Sequence, residues 1–226
     1  HIKNNILIFI LSLLSTLIFA LLKDSNMIFG LRYFRGGADG LNHASKAQDI
    51  VHHLYDLHFV EALRGGAATF YSMPGLRYFD ALTYIFFGDT NYGYLIVGLL
   101  LPIYLYRLIY NLTDPRISLI LILSFLFFPI FENMGFGHFN YIGQITRNHA
   151  ETLSITLIII SLSQISNKNY FNETKIIQLF LTTIFLALAT FARPNFFPCV
   201  TLMTIYIMLN ICHKSIFAVV VVLIGY

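Results

Sequence analysis

Tryptophan is absent from the 226 residues, cysteine occurs twice, and charged residues make up only 11% of the chain. Each shortage excludes something. Ordinary soluble domains carry about 25% charged residues, so the chain cannot furnish a water-exposed surface of the usual kind. Disorder requires low hydrophobicity and high charge, whereas this chain is 57% apolar and holds 22 Phe and 14 Tyr. Cys199 and Cys212 both lie inside apolar runs and imply no disulfide framework. A net charge of +3, spread along the chain, leaves no footprint for nucleic acid. Without Trp, any aromatic belt at a membrane surface must be built from Tyr. What is present is long apolar sequence, with a mean hydropathy of +0.72. Segments of that kind must satisfy their own backbone hydrogen bonds in lipid. The expected fold is all-α: one transmembrane domain over residues 1–226, built as a polytopic helix bundle.

Apolar runs at 6–22, 92–110, 117–131, 152–165, 176–192 and 196–211 predict six spans. The first has no small-x-small cleavage site, because Ala20 is followed by Leu21, Leu22 and Lys23, so it reads as a retained span rather than a signal peptide. A further run begins at 216 and is too short to cross a bilayer, which takes about 20 residues, so a continuation beyond Tyr226 is expected. Short segments holding Lys3, Arg107, Arg116, Lys168, Lys175 and Lys214 place the N-terminus in the cytoplasm by the positive-inside rule. The long loop at 23–91 then faces outward, carrying seven of the chain's 11 acids.

That loop has helical pattern of its own. Leu41, Ala44, Ala47, Val51, Leu54 and Tyr55 recur at helical spacing, with Lys46, Asp49, His52, His53 and Asp56 on polar faces. This predicts an interfacial helix at 41–57. Gly65-Gly66 breaks the pattern, and Pro74-Gly75 opens a second helix at 76–87 that Gly88 closes. Two juxtamembrane helices are thus expected in the first outer loop.

Candidate chemistry gathers on the outer side. In Arg35-Gly36-Gly37-Ala38-Asp39-Gly40, three glycines permit close backbone approach to a ligand. Asp39 fits both a helix N-cap and a catalytic carboxylate. Arg64 beside Gly65-Gly66, and Arg77 with Tyr78 after Pro74-Gly75, suit either a bidentate grip on phosphate or anchoring among headgroups. His43, His52, His53 and His58 form no tight ligand motif and read as polar faces of an amphipathic helix, so no metal is assigned. The second outer loop, 132–151, contributes His138, Asn140, Gln144, Arg147, His149 and Glu151, and Arg193-Pro194-Asn195 ends a later span on the same side. Arg147, His149, Glu151 and Arg193 are expected to converge near Asp39, with a structural Glu151–arginine pair as the alternative.

At these residues the chain resembles the GT-C superfamily of polytopic glycosyltransferases, the protein O-mannosyltransferase-like and aminoarabinose-transferase-like enzymes. A first span followed by an acid is matched by Asp39. The first juxtamembrane helix is matched by 41–57, and the second by Ser72-Met73-Pro74-Gly75-Leu76-Arg77-Tyr78-Phe79 through Ile85-Phe86-Phe87-Gly88. Arg193-Pro194-Asn195 is similar to a motif at the outer end of a later helix. Two departures are Asp39 followed by Gly40 rather than a second acid, and Met73-Pro74-Gly75 in place of Pro-Pro. The resemblance implies transfer of a sugar from a polyprenyl-phosphate donor to an acceptor at the outer face of a bacterial inner membrane. It implies Asp39 as general base, with Arg35, Arg64, Arg77, Tyr78, Arg147, His149, Glu151 and Arg193 around the substrate and no cofactor beyond the lipid-linked donor. Two rivals are a transporter or flippase and a non-catalytic subunit of envelope polysaccharide assembly. The first would place ionisable residues or broken helices at mid-membrane; the second would scatter the polar residues.

Overall fold

The computed structural model describes residues 2–23, 28, 37–65, 74–128, 137–173, 176–211 and 216–225, and no strand occurs among them. The first helix, α1 (Ile2–Lys23), is followed by α2 (Gly37–Tyr55), the short α3 (Phe59–Leu63) and α4 (Pro74–Phe87). Then come α5 (Tyr92–Leu112), α6 (Pro115–Phe127), α7 (His138–Thr146) and α8 (Ala150–Ile165). The single turn α9 (Tyr170–Glu173), α10 (Ile176–Ala192), a 3₁₀ turn at Pro194–Phe196, α11 (Phe197–Ile211) and α12 (Ile216–Gly225) complete the order. Three helical segments are long and apolar enough to cross a membrane: Asn4–Leu22, Tyr92–Leu112 and Pro194–Ile211. Pro115–Phe127, Ala150–Ile165 and Ile176–Ala192 are apolar but shorter.

The helices are built inside out relative to a soluble bundle. On α1 the buried side chains include Ser12, Ser15 and Thr16, while Phe9, Leu13 and Leu17 are exposed. On α8, Thr152, Ser154, Thr156, Ser161 and Ser163 are buried while Ile155 is exposed; on α10, Thr182 and Thr183 are buried and Ile177, Leu181 and Leu188 exposed. Small hydroxyl residues let helices approach closely, and their hydroxyls find backbone carbonyls. Ser154 Oγ donates across the α8–α10 contact to Ala189 O at 2.9 Å, and Thr16 Oγ1 donates within α1 to Ser12 O at 2.9 Å. Apolar side chains facing outward have no reason to do so in water; in hydrocarbon they do.

The order of contacts fixes how the elements run. The first turn of α8 shares a cluster with Leu76, Val97 and Ala192. The far end of α8 meets that of α5, where Asn111 Nδ2 donates to Ser163 O at 2.9 Å. The starts of α4, α5 and α8 and the end of α10 therefore define one end of the molecule. The ends of α5 and α8, the beginning of α10 and α9 define the other.

Between α6 and α7 the helical path is broken. Ile122 and Leu126 of α6 pack with Ile8 and Tyr106, whereas Tyr141, Ile142 and Ile145 of α7 pack with Phe19, Tyr94 and Leu101. The two short helices cover successive stretches of the same α1–α5 surface. Phe128 is extended, and Gly137 enters α7 at φ 104, ψ 153, a region open essentially to glycine alone. At the break His138 is completely buried: Nδ1 lies 2.9 Å from Ser15 Oγ and Nε2 lies 3.2 Å from Gly98 O. Gly98 is four residues before Pro102, which sits inside α5 and has no N–H to give that carbonyl. Protonated at Nε2, His138 supplies the missing donor. The stretch read from sequence as the second outer loop, 132–151, includes the helix at 138–146, whose histidine meets Ser15 of α1 and Gly98 of α5. In the apolar run at 117–131 the helix ends at Phe127 and Phe128 is extended, and 129–131 lie outside the described residues.

Candidate functional site

The helix carrying Asp39 starts earlier than its periodicity suggests, at Gly37 rather than 41. Asp39 is consequently helical backbone in the first turn of α2, and the reading that places it just ahead of the helix as an N-cap is corrected. The Asp39 side chain and the whole of Arg35 lie outside the described residues. What the structure does place is the next residue. A Cβ on Gly40 would stand 2.5 Å from Arg147 O, so only glycine lets this turn of α2 meet the 147–148 turn.

Asn148 locks that contact. It adopts φ 58, a left-handed conformation that Asn tolerates better than most residues, and its N–H donates to Ile145 O at 3.0 Å to end α7. Its side chain is buried, and Nδ2 donates to Asp80 Oδ2 at 2.8 Å and to Gly40 O at 3.3 Å. The Tyr94 hydroxyl sits between Asp80 Oδ1 and Asn148 Oδ1 in short hydrogen bonds. Asp80 and Tyr94 are 0% and 1% exposed. Removing a carboxylate from water is tolerable only when its oxygens gain donors, and here a hydroxyl and an amide from two different elements supply them. Four segments, α2, α4, α5 and the α7–α8 turn, are thus tied beside Asp39.

Of the residues proposed from sequence, several converge at this end and several do not reach a free surface. Glu151 and Arg193 form an ion pair of 2.8 Å between the start of α8 and the end of α10, with 38% and 27% of their side chains exposed. His149 Nδ1 lies 3.8 Å from the other Glu151 oxygen. Arg147 and Arg64 are exposed. Arg77, read from sequence as a phosphate grip or headgroup anchor, is instead 2% exposed, and its Nη1 donates to Gly65 O at 3.1 Å. That bond holds the Gly65 turn, itself at φ 75, against α4. Tyr78 donates to Leu63 O, and its ring stacks on Phe191 at 5.9 Å and 14°. Burial raises the Tyr78 phenol above its ordinary value, and the neighbouring Arg77 guanidinium pulls the other way.

Asp80, Tyr94 and Asn148 escape sequence reasoning. Asp80 lies in a stretch read only as an interfacial helix. The available signal is that Arg77, Asp80 and Thr83 recur every three residues on one face of α4 while Leu82, Ile85 and Phe86 fall on the other. The structure buries the polar face and exposes the apolar one.

Beside the cluster an apolar cavity of about 630 Å³ opens between α4, α5, α8 and α10. It is lined by Tyr78 and Phe191 at the site end, by Val97 and Leu153 along its length, and by Tyr104 and Phe185 farthest from the site. No carboxylate lines it among the described residues, and no group of three or more metal-ligating side chains was found there.

These observations define an all-helical protein with three helices able to cross a membrane and a buried polar cluster at one end of them. Comparison with family models, curated proteins and solved structures returned no match.

Proposed function

We propose that the chain is a polytopic membrane glycosyltransferase of GT-C type, with α2 and α4 lying at the outer membrane surface as juxtamembrane helices. In this reading α6 and α7 together make one discontinuous span, and the shorter α8 and α10 cross as partners of the three long segments. The sugar donor is a polyprenyl phosphate. The observation that carries the reading is the apolar cavity beside a polar end that holds Arg147, Glu151 and Arg193, with the backbone of Asp39 in the adjoining turn of α2. That combination suits an amphipathic ligand whose reacting group must sit at the membrane surface.

The chemistry is a displacement at the anomeric carbon. An acceptor hydroxyl or amine forms the new bond to that carbon as the bond to the phosphate oxygen breaks, and the electron pair leaves with the lipid phosphate. Asp39, as general base, takes the acceptor's proton, assistance typically worth about 10²–10⁴-fold. Arg147, and Arg193 on exchanging its Glu151 partner, would receive the departing phosphate, where preorganised charge acts best. Arg77 and Asp80 are positioning residues. One holds the Gly65 turn, and the other holds Asn148 and through it the Gly40 carbonyl next to Asp39.

A lipid flippase is the second reading, favoured by the break between α6 and α7 with a buried histidine beside it. Both are decided by supplying membranes that contain the protein with a radiolabelled polyprenyl-phosphate sugar. The transferase reading expects sugar released to acceptor, and a loss of at least 100-fold in Asp39→Asn at equal expression. Full transfer by Asp39→Asn removes its catalytic role, and donor moved across vesicles chemically unchanged favours the flippase.

A further inference from the structure

At the end of the molecule away from Asp39 there is a second cavity, of about 730 Å³, between the first turns of α1, the ends of α5 and α8, and the start of α10. Its lining is of a different chemical kind from that of the apolar cavity. Amides come from every side, among them Asn5, Asn111, Gln164 and Gln178, together with tyrosine rings and one arginine, Arg107. Among the described residues no carboxylate lines it.

The walls are held in place. Asn111 Nδ2 donates to Ser163 O at 2.9 Å and to Ser166 Oγ at 3.0 Å. The Tyr170 hydroxyl donates to Thr182 Oγ1 at 2.7 Å, and Thr182 lies 2.8 Å from Gln164 Oε1. Arg107 is the exception: exposed, its guanidinium stands 5.1 Å over the Tyr104 ring, with Nε donating to Asn5 Oδ1 at 3.3 Å. An arginine stacked on an aromatic face and steered by a single amide keeps most of its donors for something else.

Tyr104 and Phe185 line this cavity and also the apolar one. The two spaces therefore adjoin along these side chains, and a ligand reaching both would be polar at one end and apolar at the other. The polar lining narrows the head. Amides and phenols each donate and accept, as sugar hydroxyls do, and tyrosine faces suit the apolar faces of sugar rings. Among the described residues one cation and no carboxylate line it, a set that matches one negative phosphate.

We infer that this cavity is a second ligand site, distinct from the one beside Asp39, that binds a glycosyl phosphate, with Arg107 on the phosphate and the amide–tyrosine wall on the sugar. The shared wall at Tyr104 and Phe185 sets an apolar space beside the head, which favours a lipid-linked glycosyl phosphate over a free one. The site requires no catalysis, so it stands or falls separately from the transferase reading.

The test uses the protein in phosphatidylcholine nanodiscs and a photoreactive farnesyl phosphoglucose carrying its diazirine on the sugar. Farnesyl phosphate and glucose 1-phosphate serve as competitors. Crosslinks are expected in peptides covering 104–111 and 163–185. They should fall at least tenfold in the double variant Arg107→Gln/Gln178→Ala, and also in Leu181→Trp, which fills the cavity without removing a polar group. A matching thermal midpoint in each variant shows that the fold is kept. An Asp39→Asn control is expected to leave these crosslinks unchanged. Competition by glucose 1-phosphate as strong as by unlabelled farnesyl phosphoglucose assigns the site to a free sugar phosphate. Much weaker competition assigns it to the lipid-linked form. Crosslinks that persist in both cavity variants, or competition by farnesyl phosphate equal to that by the glycosylated lipid, overturn the inference.

Discussion

His138 is a residue whose role depends wholly on a partner 40 positions away. Pro102 leaves Gly98 O without its helical donor, and His138 Nε2 lies 3.2 Å from that oxygen. An unsatisfied buried acceptor costs about 1–3 kcal/mol, so His138→Ala is expected to destabilise the protein by about that amount. In a Pro102→Ala background the restored N–H closes the α5 ladder, and the same substitution should then cost measurably less. Denaturant titration of the four proteins of this cycle in detergent checks it; an equal cost in both backgrounds would show that the histidine serves some other group. Asn148 illustrates the same dependence. Its left-handed backbone ends α7 and its side chain bridges Asp80 and Gly40, and neither partner is near it in sequence.

At the scale of elements, the stretch between the first two long apolar runs is the part most legible in sequence. Helical spacing predicts the two loop helices, and both form, with bounds Gly37–Tyr55 and Pro74–Phe87 against the expected 41–57 and 76–87. Gly88 stops the second at φ 64, as expected of a glycine there. The end of α2 is less comfortable. Leu57 adopts φ 61 while 70% exposed, as His58 N–H donates back to His53 O at 2.8 Å. A left-handed L-residue costs roughly 1–2 kcal/mol, so Leu57→Gly should raise stability by about 0.5–1 kcal/mol after the glycine's greater chain entropy is subtracted. Thermal melts of the two proteins decide this, and a lower midpoint for the variant would mean that the exposed leucine makes contacts worth more than its strain. The helix within 132–151 was the element the sequence did not reveal. A nine-residue helix with Gly143 inside it and a histidine at its start carries too little periodic signal to stand out from polar surroundings. It is held by burial against α1 and α5, which no local pattern reports.

For the whole molecule, the two ends carry different chemistry, and the proposed topology places them on opposite sides of a membrane. With Cys199 and Cys212 replaced by Ser, a single cysteine at exposed Arg64 should label with an impermeant maleimide from outside intact cells. One at exposed Asn167 should label only after the membrane is opened. Labelling of both from the same side would discard the topology, and with it the placement of Asp39 at the outer surface.

The sequence alone determined the helical class of this protein and marked segments apolar enough to cross a membrane. Eleven per cent charge and long apolar runs favour helix, because backbone polar groups away from water must pair locally. It also located the charge, since acids concentrated between the first and second runs stand out against so apolar a background. Only the tertiary structure decided which polar residues meet. Asp80, Tyr94, Asn148 and Gly40 O come from four separate segments, and helical periodicity reports which face a residue shares, not which other helix that face will touch. The Glu151–Arg193 pair lay between these limits: its residues were visible in sequence, but its 2.8 Å contact exists because α8 and α10 pack through small hydroxyl side chains.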